Sequence, residues 1–352
     1  SDSDTDSDSD SDADTDTGSS WEIDFAAPGP CRAEFDGNIS WGLSAIDGII
    51  DRITTWTYDT QGREITTETD YEADGIVDSR ETRTWSADDL LLLHGFDDDA
   101  DDTVDRWHEF TYDEEGLLLQ EDHFNDGYLE SSDQYFFDDQ GLLIGEDHYE
   151  DGVLGLNVEY FYDNDSRLIW EDRYQGEVLA RSKEYSYDAD GRLVQQTTHI
   201  DGEIDAVVDH SYDEDGNLEM TETDGPGGVD GVADDRVNYF YGEEGWLTVV
   251  EIDYGADGTT EEYWSYSHDE EGRLTSAVHS GDTFHNSSSW SYDQWGYLAT
   301  SGFHDSYNWN DGLSTYTHDQ WGNLHKLHQE QSSLWGSGEK QTVYFFDCWQ
   351  DE

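Results

Sequence analysis

One short pattern returns twelve times along this chain and leaves little freedom in the fold. An aromatic residue or histidine is followed by Asp-x-x-Gly-x-Leu, at Tyr58, Trp85, Tyr112, Phe137, Tyr162, Tyr187, Tyr212, Tyr241, His268, Tyr292, His318 and Phe346. Successive copies stand 24 to 29 residues apart. Asp comes next in ten of the twelve, Gly stands four on in nine and Leu six on in ten, which is far beyond coincidence. A period of this length marks a unit that cannot bury its apolar face alone and is completed by its neighbours.

Each unit reads as a hairpin. Residues before the aromatic alternate with period two, as in Phe110-Thr111-Tyr112 and Tyr185-Ser186-Tyr187, and period two means strand. The Asp-x-x-Gly segment is a tight turn, because Asp accepts backbone N–H groups and Gly takes positive φ. The Leu starts the return strand, as in Gly191-Arg192-Leu193-Val194. The expected fold is all-β: an antiparallel meander of about twelve such hairpins, curled into a barrel-like or spiral sheet. Pairs such as Trp56/Tyr58, Tyr160/Tyr162 and Tyr185/Tyr187 share one face, which predicts an aromatic ladder with a Leu column beside it. Each cross-strand aromatic pair adds roughly 0.2–1 kcal/mol, so the ladder stabilises in sum.

Charge narrows the partners. The chain carries 87 Asp+Glu against 15 Lys+Arg, a net charge of −72. Nucleic acid and anionic membranes need clustered cations and are excluded as partners; divalent cations or basic surfaces suit this chain. Such acidity usually means disorder, but 14 Trp, 22 Tyr and 13 Phe supply core material beyond residue 20. Three segments follow: a flexible Ser/Asp-rich stalk at 1–20, a lead-in at 21–39 and the repeat domain at 40–352. No apolar run approaches the ~18 residues of a membrane helix. The expected location is extracellular or the cell surface, as for a bacterial secreted protein. A lipid anchor ahead of residue 1 is one arrangement the stalk would suit. In an oxidising compartment Cys31 and Cys348 can pair. That bond would bring both ends of the array together and contribute roughly 4–5 kcal/mol.

The units resemble the YD repeats of the Rhs family and of the related teneurin and toxin-shell proteins. The nearest copies are Tyr185-Ser-Tyr-Asp-Ala-Asp-Gly-Arg-Leu193 and Tyr266-Ser-His-Asp-Glu-Glu-Gly-Arg-Leu274. The resemblance covers residues 40–352 and implies a spiral β-hairpin barrel, outside the cell or in secreted assemblies. Known shells are several-fold longer and enclose a C-terminal cargo. Here the last residues are Tyr344-Phe-Phe-Asp-Cys-Trp-Gln-Asp-Glu352, so the expectation is a stand-alone module without a toxin domain. If the two cysteines pair, the sheet must close or nearly close.

The inter-hairpin loops carry the candidate sites. Asp70-x-Glu72-x-Asp74-Gly75-x-x-Asp78 has acids at positions 1, 3, 5 and 9. Asp97-x-Asp99-x-Asp101-x-x-x-Asp105 matches except that Asp102 replaces Gly. Asp253-x-Gly-x-Asp257-Gly258-x-x-Glu261 lacks only the third acid. These resemble the D-x-D-x-D-G-x-x-D calcium loops of thrombospondin-type and dockerin-like segments, and hard Ca²⁺ takes six to eight oxygen ligands. The plain alternative is polar turns rich in Asp and Gly. His123, His148, His199, His279 and His304 follow their turn aromatic by eleven or twelve residues. Two readings stand: half-exposed strand-end positions that tolerate an imidazole, favoured because no His-x-His or His-x-x-x-His spacing occurs, or a column on one side of the sheet suited to a transition metal or a pH response. No phosphate loop, nucleophile elbow or zinc-protease helix is present, so no enzyme is expected. The leading reading is a calcium-stabilised, non-catalytic scaffold or adhesion module that meets other surface proteins. The alternatives are a carbohydrate-binding module stacking sugars on Trp295 and Trp321, or a self-associating subunit of an extracellular filament.

Overall fold

The computed structural model describes residues 29–37, 46–225, 228–281, 283–306, 310–320, 322–333 and 336–346. The stalk, Trp321 and Cys348 lie outside these residues. The described chain is strand and turn throughout, with 24 strands and no helix. β1 (Arg32–Asp36) comes from the lead-in. Eleven hairpins follow, each bent at one aromatic-Asp-x-x-Gly turn. The first four are β2 (Arg52–Tyr58) with β3 (Glu64–Asp70), β4 (Ser79–Trp85) with β5 (Leu91–Asp97), β6 (Arg106–Tyr112) with β7 (Leu118–Asn125), and β8 (Tyr128–Phe137) with β9 (Leu143–Glu150). The next four are β10 (Val153–Tyr162) with β11 (Leu168–Gln175), β12 (Val178–Tyr187) with β13 (Leu193–Ile200), β14 (Glu203–Tyr212) with β15 (Leu218–Asp224), and β16 (Asp235–Tyr241) with β17 (Leu247–Tyr254). Then come β18 (Glu262–His268) with β19 (Leu274–Gly281), β20 (Phe284–Tyr292) with β21 (Leu298–Asp305), and β22 (Asn310–His318) with β23 (Leu324–Ser333). β24 (Gly336–Phe345) is last.

Each strand pairs antiparallel with its sequence neighbours, and β1 pairs with both β2 and β24. The meander therefore closes on itself and leaves no unpaired edge strand among the described residues. The closing unit is the twelfth repeat, split between the two ends of the chain. β24 leads to Phe346, and β1 stands in for its return strand, with Arg32 opposite Phe345 and Asp36 opposite Gln341. Strands do not approach any but their ladder neighbours. With a spacing of ~4.8 Å, such a ring is at least about 115 Å around, so it encloses a lumen.

The sheet is a single layer, so burial is shallow. No described side chain is fully buried. The aromatic face is half-buried and the residues between point to solvent: Tyr185 and Tyr187 are covered, Ser186 is exposed. Cys31, Ala33 and Phe346, all at the closing seam, are among the few buried apolar residues.

Turn chemistry repeats as the sequence predicts. Asp188 Oδ1 accepts the N–H groups of Asp190 at 2.9 Å and Arg192 at 2.9 Å. Gly191 donates to the Asp188 carbonyl at 3.1 Å and sits at φ +82°. A bulge then falls between Ser186 and Tyr187, which absorbs the extra turn residue. Ser86 takes the place of Asp in the turn after Trp85, its hydroxyl accepting from Asp88 and Leu90.

Neighbouring hairpins are joined by the turn aromatic. The Tyr187 hydroxyl donates to the Leu168 carbonyl at 2.7 Å, and Tyr112, Tyr162, Tyr212, Tyr241 and Tyr292 do the same to Leu91, Leu143, Leu193, Leu218 and Leu274. Tyr58 donates to the Pro30 carbonyl at 2.8 Å, so Pro30 fills the Leu position of the split repeat. The residue before each return-strand Leu leans onto the next unit. Arg167, Arg192 and Arg273 lie 5.0, 4.8 and 4.5 Å over the rings of Tyr187, Tyr212 and Tyr292.

At a few turn glycines that lean adds a packing demand to the positive φ. A Cβ on Gly272, at φ +82°, would come within 2.8 Å of the Trp246 ring, whereas one on Gly75, at φ +90°, would meet nothing within 4 Å. Alanine at either position should cost about 1–2 kcal/mol for the left-handed backbone. Gly272→Ala should lose more, because Trp246 must also move. Urea midpoints of the two variants test this; equal midpoints would show that packing between repeats does not require that glycine.

Candidate functional site

The up-and-down topology sends all aromatic-Asp-x-x-Gly turns to one rim of the barrel and every other connection to the opposite rim. Some of that second rim is made of two-residue turns. Asp126-Gly127, Asp151-Gly152 and Asp201-Gly202 have both residues at positive φ, the conformation that matches strand twist in tight hairpins.

Longer acidic loops occupy the rest of this rim and share one bonding scheme. In the first expected site, the Asp70 carboxylate accepts the N–H groups of Asp74 at 3.1 Å and Gly75 at 2.8 Å. Asp78 accepts the Tyr71 N–H at 2.6 Å, and its own N–H donates to the Thr69 carbonyl at 2.8 Å. In the second, Asp97 accepts from Asp101 at 3.1 Å and Asp102 at 3.0 Å, and Asp105 from Asp98 at 2.8 Å. In the third, Asp253 accepts from Asp257 at 3.0 Å and Gly258 at 2.9 Å, and Glu261 from Tyr254 at 2.8 Å. Asp36 with Asp51, and Asp224 with Asp234, repeat the scheme. Insertions between their paired acids kept these two loops out of the sequence pattern.

The leading Asp is buried in most of these loops: Asp36, Asp70, Asp97 and Asp253 are 3–7% exposed. A buried carboxylate is tolerated because the loop backbone donates to both oxygens. The outer acids differ between loops. Asp97, Asp99 and Asp105 bring one carboxylate oxygen each within 4.8 Å of one another. Asp101 turns aside to the Thr103 N–H at 2.8 Å, as Asp74 does to Ile76 and Asp257 to Thr259, each at 2.9 Å. Neither the Asp70–Glu72–Asp78 set nor the Asp253–Glu261 set forms a comparable trio among the described residues. Arg80 Nη1 stands 3.6 Å from Asp97 Oδ2, and Arg236 Nη1 3.9 Å from Asp253 Oδ2. Trp295 is 62% exposed at its turn.

Histidines gather on the aromatic face of β5–β9. His94 lies opposite His108, His108 opposite His123, and Asp133 opposite His148. His108 and His123 share a hydrogen bond of 3.2 Å, and each has a ring nitrogen 3.3 Å from Glu121 Oε1. His148 Nδ1 donates to Asp133 at 2.7 Å. Of the expected column, only His123 and His148 join this row. His199 packs near Trp170, His279 stacks on Trp264, and His304 bonds Asp311. His94 and His108 escaped sequence reasoning because they sit on other strand positions relative to the turn, and only the ladder register aligns them.

Surroundings split the histidines. The Asp133 carboxylate beside His148 holds its pKa above the ordinary value, while burial pushes that of His210 down. Stability from His148 is present below its unfolded pKa and is lost as pH rises through the folded value. Stability from His210 is present above its unfolded pKa and is lost as pH falls through the folded value. NMR titration of the imidazoles should place His148 above ~6.5 and His210 below it, and Asp133→Asn should lower His148 and leave His210 where it is. The reverse order would contradict these environments.

The RHS Repeat family model matches residues 187–229. No curated protein matches. Among solved structures, TcdB2-TccC3-Cdc42 is 14% identical over 85% of this chain, with a TM-score of 0.41, and the chain spans 16% of it. The Photorhabdus luminescens Tc holotoxin pore is 12% identical over 82% of this chain and 19% of its own, with a TM-score of 0.33. A porin-like protein from Bacteroides uniformis is 10% identical over 68% of this chain and 94% of its own, with a TM-score of 0.28. All three likenesses are loose, and the fold rests on the strand ladders themselves. Residues 187–229 match the RHS, or YD-repeat, unit, and the same turn motif returns in phase around a closed antiparallel meander of β-hairpins.

Proposed function

We propose that this chain is a non-catalytic scaffold displayed outside the cell, whose acidic rim binds calcium and whose split repeat is locked by a Cys31–Cys348 disulfide. The observation that carries the calcium reading is the convergence of Asp97, Asp99 and Asp105 on a loop already shaped by its own backbone. Each carboxylate oxygen has two lone pairs, so an oxygen that accepts an N–H can still face a cation. The Asp70 and Asp253 loops share the backbone scheme and would need only a shift of Glu72, Asp78 or Glu261 side chains. Arg80 competes at Asp97, which fits weak affinity of the extracellular class, around 10⁻⁴–10⁻³ M.

An exposed adhesive surface suits a ring with a net charge of −72. Protein partners with basic faces, and divalent cations, are the chemistry it would attract. Closure of the sheet removes edge-strand pairing as the route to a filament, so self-association would have to use the rims or the walls. Sugar stacking on Trp295 and Trp321 is the second reading, favoured by the exposure of Trp295. It predicts that Trp295→Ala and Trp321→Ala abolish a glycan-array signal.

The melting temperature of the full chain should rise in millimolar Ca²⁺ and fall back with chelator. The rise should shrink in an Asp99→Asn, Asp105→Asn variant. Identical melts with Ca²⁺ and with chelator would remove the calcium reading and leave the scaffold reading standing. Cys31 is buried and is not a free thiol. Non-reducing peptide mapping should therefore recover a Cys31–Cys348 crosslink, and Cys31→Ser should lower stability by about 3–5 kcal/mol. A free Cys348 thiol in the native protein would refute the lock.

A further inference from the structure

We propose that His108, Glu121 and His123 form a binding site for a borderline divalent transition ion of the Zn²⁺ class. The site is separate from the calcium rim and rests on none of that reading. Its ligands stand on adjoining strands, β6 and β7, with the two histidines directly opposite each other. The ladder fixes their spacing, so the site is built on rigid backbone and not on a loop.

Distances match the chemistry. His108 Nδ1 and His123 Nε2 are each 3.3 Å from Glu121 Oε1. A tetrahedral Zn²⁺ with bonds of ~2.0–2.1 Å holds its ligand atoms about 3.3 Å apart. One ligand atom from each of the three residues falls within 4.8 Å of the others. All three side chains are half-buried, at 29%, 21% and 28% exposed, so an ion can enter. Among the described residues, Glu121 forms ion pairs with the two imidazoles and with no arginine or lysine.

Neighbouring residues set the site apart from the other histidines. Asp133 Oδ2 lies 3.6 Å from His123 Nε2 and is itself held by His148. It faces the same nitrogen that would hold the ion, so it adds negative charge beside the site. His279 meets one carboxylate, Glu262, and stacks on Trp264, so it has no second nitrogen to share an ion. Metal entry ends the His108–His123 hydrogen bond: with His108 Nδ1 and His123 Nε2 on the ion, the two bonded nitrogens, His108 Nε2 and His123 Nδ1, both carry protons and neither can accept. Three protein ligands leave one position for water. Imidazole nitrogens select a transition ion over Ca²⁺, which takes oxygen ligands.

The test uses Co²⁺ as the probe on the full chain, at high salt with excess Ca²⁺ to occupy the carboxylate loops. Binding of a single equivalent should give the visible absorption of tetrahedral Co²⁺, and Zn²⁺ should displace it. Paramagnetically shifted ring protons should come from His108 and His123 in the unaltered protein, which keeps the test valid if a variant fails to fold. His108→Ala and His123→Ala should each lose the absorption, and His279→Ala should retain it. Absence of the absorption at saturating Co²⁺, its survival in folded His123→Ala, or its loss to Ca²⁺ would each overturn the site.

Discussion

The hydrogen bond from a turn tyrosine to the preceding hairpin's Leu carbonyl is what makes a ring out of separate hairpins. A two-stranded hairpin is marginal in water. Strand ladders supply generic cohesion, but the Tyr187–Leu168 type of contact fixes where each hairpin sits along its neighbour. The same ring is covered by an arginine from the preceding turn, and that arginine is tied to its own turn Asp. Arg192 reaches Asp188 Oδ2 at 2.7 Å and Tyr212 at 4.8 Å. Turn, return strand and next repeat are thus one interlocked joint. Where the turn aromatic is histidine and offers no phenol, the preceding arginine is replaced by an aromatic. Trp246 packs on His268 at 5.5 Å and Tyr297 on His318 at 5.3 Å.

This joint keeps the aromatic face from being a dry core. The Tyr160 and Tyr185 hydroxyls meet Glu146 at 3.1 Å and Glu171 at 3.2 Å on the paired strands. Burial, and then the nearby Glu171 charge, push the Tyr185 phenol up to about 12. Among the described residues no second layer packs above the aromatic stripe, so polar side chains can stand in the same row without being stranded from water. That is why a histidine row and its carboxylates fit on the face that also carries the ladder.

Hairpin, turn and strand parity were all legible in the sequence because each is set within one repeat. Asp188 and Gly191 announce the turn, and Tyr185 and Tyr187 announce the face. Features that depend on the exact ladder register, or on two repeats, were hidden. The partnership of His108 with His123 spans a turn and appears only with the ladder register. The role of Arg32–Asp36 was hidden more deeply, since five residues without the aromatic signature give no sign that they complete a repeat begun at the other end. The acidic loops fall between these cases. Fixed spacing revealed three of them, and insertion lengths masked the two that begin at Asp36 and Asp224.

Splitting the last repeat has a consequence for how the chain reaches this shape. Apart from β1 with β24, each pairing joins strands adjacent in sequence, so the ring can grow hairpin by hairpin from any starting unit, as repeat arrays do. Pairing β1 with β24 is the exception, and it spans nearly the whole chain. Its loop-closure entropy is recovered only when the array has already curved far enough to present both ends. Ring closure is therefore a late event gated by the accumulated curvature of the other repeats. An error in any one of them would leave an open ribbon with two free edges in place of a barrel.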